Sequence, residues 1–258
     1  TASAVAAMSA YGPTIAVTSF PSLDNTGDII YLRSAQNKII HAVNYTDAWY
    51  QNELKKDGGW TLEMIDTKNP CSGFNNWKAS ADLKGGTPGK KNAVDAINAD
   101  AAAPQLLRAF ATDSINIVLV FDEPLDSAKA ATANNYSISD GIGAPQQAIT
   151  IAPTFDKVNL KLNTTLSRNK VYTITATAIT DCAGNVVTTK NIARVGLTEI
   201  ADSLNIVINE ILFNPKSNGT DYVEIYNSSN KIIDLKQTYI ANRNTAGVIS
   251  NIKQVSTE

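Results

Sequence analysis

The chain has 258 residues, 43% of them hydrophobic and 18% charged, with 22 basic against 24 acidic side chains and a formal net charge of −2. That apolar content can bury a core, which excludes a disordered chain. The near-balanced charge, spread without blocks, excludes the electrostatic footprint of a nucleic-acid binder, and no apolar run approaches the roughly 20 residues of a membrane-spanning helix.

The opening stretch Thr1–Tyr11 lacks the basic region of a secretion signal and reads as a short helix or turn, so the sequence is expected to start inside a longer protein. Strand-like runs then recur at short intervals. The first set is Thr14–Phe20, Asp28–Arg33, Lys38–Asn44 and Thr61–Ile65. Gly85-Gly-Thr-Pro-Gly89 and the small-residue run Ala93–Ala103 mark the end of a unit and a linker. The second set is Gln105–Ala111, Ile115–Phe121, Tyr136–Ser139, Gln147–Ala152, Val158–Asn163, Val171–Ala178 and Val187–Ala193. Several of these alternate apolar and polar residues, as in Tyr172-Thr-Ile-Thr-Ala-Thr, the mark of strands with one buried face. Seven strands between residues 105 and 195 is the count of an immunoglobulin-type sandwich. The last set is Asn205–Phe213, Asp221–Tyr226, Lys231–Leu235 and Tyr239–Ala241. The expectation is an all-β chain of immunoglobulin-like sandwiches in tandem.

Two family resemblances sharpen this. Ser19-Phe-Pro-Ser-Leu-Asp-Asn-Thr-Gly-Asp-Ile-Ile-Tyr-Leu32, Ile39–Tyr45, Gly59–Glu63, Asn76-Trp77 and Gly85–Gly89 together resemble the later part of a lamin-tail domain, over residues 12–92. Ile206-Val-Ile-Asn-Glu-Ile-Leu-Phe-Asn-Pro215, Asp221-Tyr-Val-Glu-Ile-Tyr-Asn227 and Ile232–Leu235 resemble that domain's opening strands. Val120–Asp126, Asn135–Ile138 and Thr180–Asn185 resemble bacterial immunoglobulin-like repeats of surface proteins. The resemblance implies secreted proteins of the Bacteroidetes type and no shared activity. The predicted units are therefore 1–92, the later part of a lamin-tail-like sandwich; 93–104, a linker; 105–195, an immunoglobulin-like domain; and 205–258, opening strands of a second lamin-tail-like unit. Half a sandwich leaves an apolar face and open strand edges. The reading accordingly predicts strand complementation, head to tail between chains in preference to within one chain.

Cys71, in a loop of the first unit, and Cys182, in the loop between the last two strands of the middle domain, are expected at the same pole and predict an interdomain disulfide; two unrelated thiols are the alternative. No catalytic residue, cofactor site or metal site is predicted. His41, the single histidine, reads as a strand residue facing solvent. Glu210, Asp221 and Glu224 read as partners for backbone groups at strand ends, and Asp181 with Asn185 is the place where calcium is conceivable. Trp60 and Trp77 read as core residues, while Trp49 and Tyr50 are the aromatic pair expected to touch a ligand if any does. Ser114, Ser127 and Ser203, each in an Asp-Ser-aliphatic triplet, resemble O-glycosylation sites of Bacteroidetes secreted proteins. The function expected is a non-enzymatic structural or adhesive module, secreted or on the cell surface. The alternative is a carbohydrate- or protein-binding accessory of a larger hydrolase or nuclease. Partners expected are a second copy, or a glycan or surface protein.

Overall fold

The computed structural model describes residues 2–255; Thr1 and Ser256–Glu258, which fall within the outer predicted units, lie outside the described residues. A short helix α1 (Ala2–Met8) opens the chain and leads, without a strand, to the hairpin β1 (Gly27–Arg33) and β2 (Ile39–Thr46). The expected strand Thr14–Phe20 is absent: the segment forms no ladder and turns at Thr18 and Ser19, with Ile15, Val17 and Phe20 exposed. A second small pair, β3 (Leu62–Met64) and β4 (Trp77–Ala79), completes the first unit; sequence reading placed no strand at β4. Glycines close its loops. A Cβ at Gly85 would collide with the carbonyl of Gly59, and one at Gly89 with the carbonyl of Tyr11, and both glycines have positive φ.

The middle unit is β5 (Leu106–Ala111), β6 (Asn116–Phe121), α2 (Ser127–Ala130), β7 (Tyr136–Ile138), β8 (Gln147–Ile151), β9 (Lys157–Lys161), β10 (Tyr172–Ala176) and β11 (Ile192–Val195). Its strands form a four-stranded sheet in the order β5-β6-β9-β8 and a three-stranded sheet β11-β10-β7, every pairing antiparallel. The last strand starts later than expected: of Val187–Ala193, only the final two residues belong to β11. Alternating inward residues of both sheets, among them Ile117, Leu119, Val158, Leu160 and Ile174 at 0% exposure, form one core. Tyr136 is buried with them, and its hydroxyl donates to the carbonyl of Ala130 at 2.7 Å. Asp126 caps α2 through the amides of Ala128 and Lys129.

The last unit has β12 (Glu199–Ile200), β13 (Ile206–Leu212), β14 (Tyr222–Asn227), β15 (Ile233–Asp234), β16 (Tyr239–Arg243) and β17 (Ile249–Gln254). They form three separate two-stranded sheets, β13-β14, β16-β17 and the parallel pair β12-β15. Among the described residues no strand of the first unit pairs with a strand of the last. Complementation within one chain is therefore not the arrangement seen. The apolar residues of these outer hairpins stay bare: Leu32 and Ile40 are each 61% exposed and Phe213 is 83% exposed.

Candidate interdomain junction and cleft

The strap 93–104 does not hang free between the first and middle units. Its Val94 is buried and its Asn98 is held by several hydrogen bonds. The Asn98 amide N–H donates to Asp66 Oδ2 (3.1 Å), while its side-chain Nδ2 donates to the Asn75 carbonyl (2.9 Å) and to Asn76 Oδ1 (3.0 Å). Asn76, at 0% exposure, donates in turn to the carbonyls of Asp66 (2.8 Å) and Asn69 (2.6 Å) and accepts from the Asp66 amide (2.9 Å). A buried amide with all its bonds satisfied fixes one loop arrangement, because any shift strands a polar group away from water. Here it sets the loop that carries Cys71.

Cys71 and Cys182 are joined in a disulfide, with Cα atoms 6.0 Å apart and 111 residues between them in sequence. The interdomain bond expected from the sequence is thus present. Polar contacts flank it: Ser72 Oγ donates to Asp100 Oδ2 (2.6 Å), and Asn185 Nδ2 donates to the Asp100 carbonyl (3.2 Å). Asp181 shapes the loop around Cys182, accepting at Oδ1 from the amides of Gly184 (2.7 Å) and Asn185 (2.8 Å) and at Oδ2 from Asn185 Nδ2 (2.8 Å).

Asp100, Glu123 and Asp181 place carboxylate oxygens within 4.8 Å of one another. Burial, and then the charges of Asp100, Asp181 and Asp122, push Glu123 up from 4.5 to about 7. Such a trio is a donor set suited to a hard cation. Sequence reading singled out Asp181 and Asn185 but missed Asp100 and Glu123, which lie far away in the chain and converge only when the strap folds back. In the first unit Glu63 behaves oppositely. Burial raises it, but hydroxyls of Thr87 and Ser80 and the amides of Val94 and Ala93 outweigh that and hold it below the ordinary carboxylate range.

Beside the disulfide a cleft of about 660 Å³ opens between β2 and the middle domain. Aromatic rings of Trp49, Phe74, Trp77 and Phe155 line it, with Asp122, Glu123, Asp126 and Asp156 on the middle-domain side, and no lysine or arginine. Trp49 and Trp77 sit with ring centroids 6.0 Å apart. Trp49 is half-buried in this wall, whereas Tyr50 is tied back, its hydroxyl donating to the Trp60 carbonyl (3.0 Å). Trp60 is half-buried under the Lys55 ammonium, 4.1 Å from its ring centroid.

His41 faces this cleft and not open solvent; its Nε2 is shielded and has no hydrogen-bond partner among the described residues. The expected backbone role of Glu210 and Glu224 is also corrected. Glu210 accepts from the Tyr222 hydroxyl and Glu224 from Asn209 Nδ2, both side-chain bonds across the β13-β14 hairpin. Asp221 lies exposed just before β14. Ser127 and Ser203 are exposed, and Ser114 is half-buried.

Residues 94–193 match the model of the bacterial Ig-like domain family, a span that takes in the strap and most of the middle unit. The middle unit is Ig-like. Three solved S-layer structures are similar: the N-terminal part of the bacterial S-layer protein SbsC (20% identity, 58% of this chain and 38% of that one, TM-score 0.35), rSbsC, and surface layer protein SbsC domains 1-6. The latter two are each 18% identical over 58% of this chain and 22% of theirs, also with TM-score 0.35. The chain thus aligns with well under half the length of these proteins. No curated protein matches it. No helix among the described residues is long and apolar enough to cross a membrane.

Proposed function

We propose that this chain is a non-enzymatic structural or adhesive module of a secreted or cell-surface bacterial protein, in which a closed Ig-like domain holds lamin-tail-like units at its two ends. The observation that carries this reading is the locked junction. A disulfide, the Asn76–Asn98 network and the packed strap fix the first unit against the middle domain, as a mechanical or display scaffold requires. A disulfide also suits the oxidising side of a membrane. The Asp-Ser-aliphatic triplets support the same placement, with Ser127 and Ser203 accessible to a modifying enzyme.

One observation favours a second reading, a carbohydrate- or protein-binding accessory of a larger secreted enzyme. The cleft joins four aromatic rings to a row of carboxylates. Rings stack on sugar faces, and carboxylates accept from hydroxyls or pair with amines. A glycan array and a surface-protein pull-down with the chain and its Trp49→Ala variant separate the two. The scaffold reading predicts no glycan retained. A glycan bound by the parent chain and lost in the variant establishes the accessory reading instead.

A further inference from the structure

The cleft beside the disulfide has two unlike walls. On the side of the first unit its lining runs unbroken through Ile39 to Asn44 of β2. Successive side chains of a strand point to opposite faces, so an unbroken run means that the edge of the strand borders the cleft, not one face alone. β2 pairs with β1 only, and among the described residues its second edge bonds to no strand. Such an edge presents a row of backbone donors and acceptors, the template on which an extended chain adds as a further strand.

The opposite wall is acidic. The loop after β6 supplies Asp122, Glu123 and Asp126, and the loop before β9 supplies Asp156. None of the four forms an ion pair among the described residues, and no lysine or arginine lines the cleft. Three of them are engaged through one oxygen each: Asp122 accepts from the Gln105 amide (2.7 Å), Asp126 from the first amides of α2, and Asp156 from the Thr154 hydroxyl. The Glu123 carboxylate accepts no hydrogen bond among the described residues, and burial followed by like charges raises it to about 7. Negative charge is thus crowded on one wall with nothing of opposite sign to offset it. The rings of Trp49, Phe74, Trp77 and Phe155 complete the cleft, and the face of an aromatic ring attracts a cation.

A sugar matches the rings but brings no charge to the carboxylates. A metal ion matches the carboxylates but makes no use of the rings or the strand edge. A basic peptide in extended conformation matches all three. We propose that this cleft docks an extended, basic polypeptide segment, which pairs along the open edge of β2 and sets a lysine or arginine side chain against the carboxylates and rings of the cleft. Six residues of strand span about 20 Å, so the paired segment is about six residues long. The proposal rests on the reading that the cleft takes a ligand, and it names that ligand as protein in place of glycan.

The test measures retention on the immobilised full chain, its disulfide intact, of heptapeptide pools that are degenerate except for a central lysine, arginine, glutamine or glutamate. The lysine and arginine pools are expected to be retained about tenfold better than the glutamine pool, and the glutamate pool least. Methylating alternate backbone nitrogens of the lysine pool is expected to abolish retention, because it blocks strand addition and keeps the side chains. Glu123→Gln with Asp156→Asn keeps the acceptor oxygens, removes two charges and is expected to weaken binding about tenfold. Glu53→Gln, at an exposed carboxylate outside the cleft, is expected to bind as the parent does. Equal retention of all pools, indifference to backbone methylation, a double variant that binds like the parent, or competition by n-butylamine as strong as by the free peptide overturns the proposal. A chain that retains no pool but holds a glycan on the array overturns the peptide and leaves the accessory reading standing; a chain that retains neither overturns both.

Discussion

The middle domain and the two outer units are made of the same material, short alternating strands, yet they reach different physical ends. In the middle domain seven strands form two sheets, and the inward residues of each find the other. In the outer units the strands form isolated pairs, and the hairpins β1-β2, β13-β14 and β16-β17 leave many of their apolar residues facing water. Propensity and pattern make a strand, but only a facing sheet makes it stable. Stability should therefore be concentrated in the middle domain, and substitutions can expose that contrast.

The largest difference is expected between Leu119→Ala, in the middle core, and Ile208→Ala, on the bare face of β13. The first removes a side chain with no exposed area and should cost about 3–4 kcal/mol in denaturant unfolding. The second should change the stability of the dilute chain by less than about 0.5 kcal/mol. Next comes the junction. Replacing Cys71 and Cys182 together by serine should destabilise by about 3 kcal/mol, since the bond closes a long loop, and should uncouple the first unit's thermal transition from that of the middle domain in calorimetry. Asn76→Ala should cost about 2 kcal/mol and loosen the first unit together with the strap, because it leaves the Asp66 amide, the Asn98 side-chain amide and two carbonyls without their partner.

The smallest effect is electrostatic. Glu123 is raised from 4.5 to about 7 in the folded chain, so the folded state holds its proton more tightly than the unfolded one. Its contribution is fully present below about pH 4.5 and is lost as pH rises through about 7. Glu123→Gln should flatten that slope and stabilise the junction by about 1 kcal/mol above pH 7, allowing for solvent screening. Urea unfolding at pH 5 and pH 8 measures it; an unchanged slope would detach Glu123 from the junction's pH response.

Much of this was legible in the sequence, and the reasons are local. Strands such as Tyr172–Ala176 and Lys157–Lys161 announce themselves by alternation, and the two cysteines fall at one pole because the Ig-like topology puts the Cys182 loop beside the incoming chain. Thr14–Phe20 misled because β-propensity without a partner strand makes no sheet. Trp77–Ala79 was missed because three residues are too few to display a period. The junction carboxylates and the aromatic cleft were hidden for a different reason. Asp100, Glu123 and Asp181 come from three segments, and Phe155 and Trp49 line one cleft from opposite sides of a domain boundary, so no spacing along the chain encodes either grouping. Of the two residues expected at a ligand, Trp49 lines the cleft while the hydroxyl of Tyr50 is spent on a backbone carbonyl.

That stability is concentrated in the middle domain is tested most directly by amide hydrogen exchange of the dilute chain, read by mass spectrometry. The prediction is that amides of β5 to β11 are protected, while those of β1, β2, β13 and β14 exchange fast. Outer strands as protected as the middle core would contradict it.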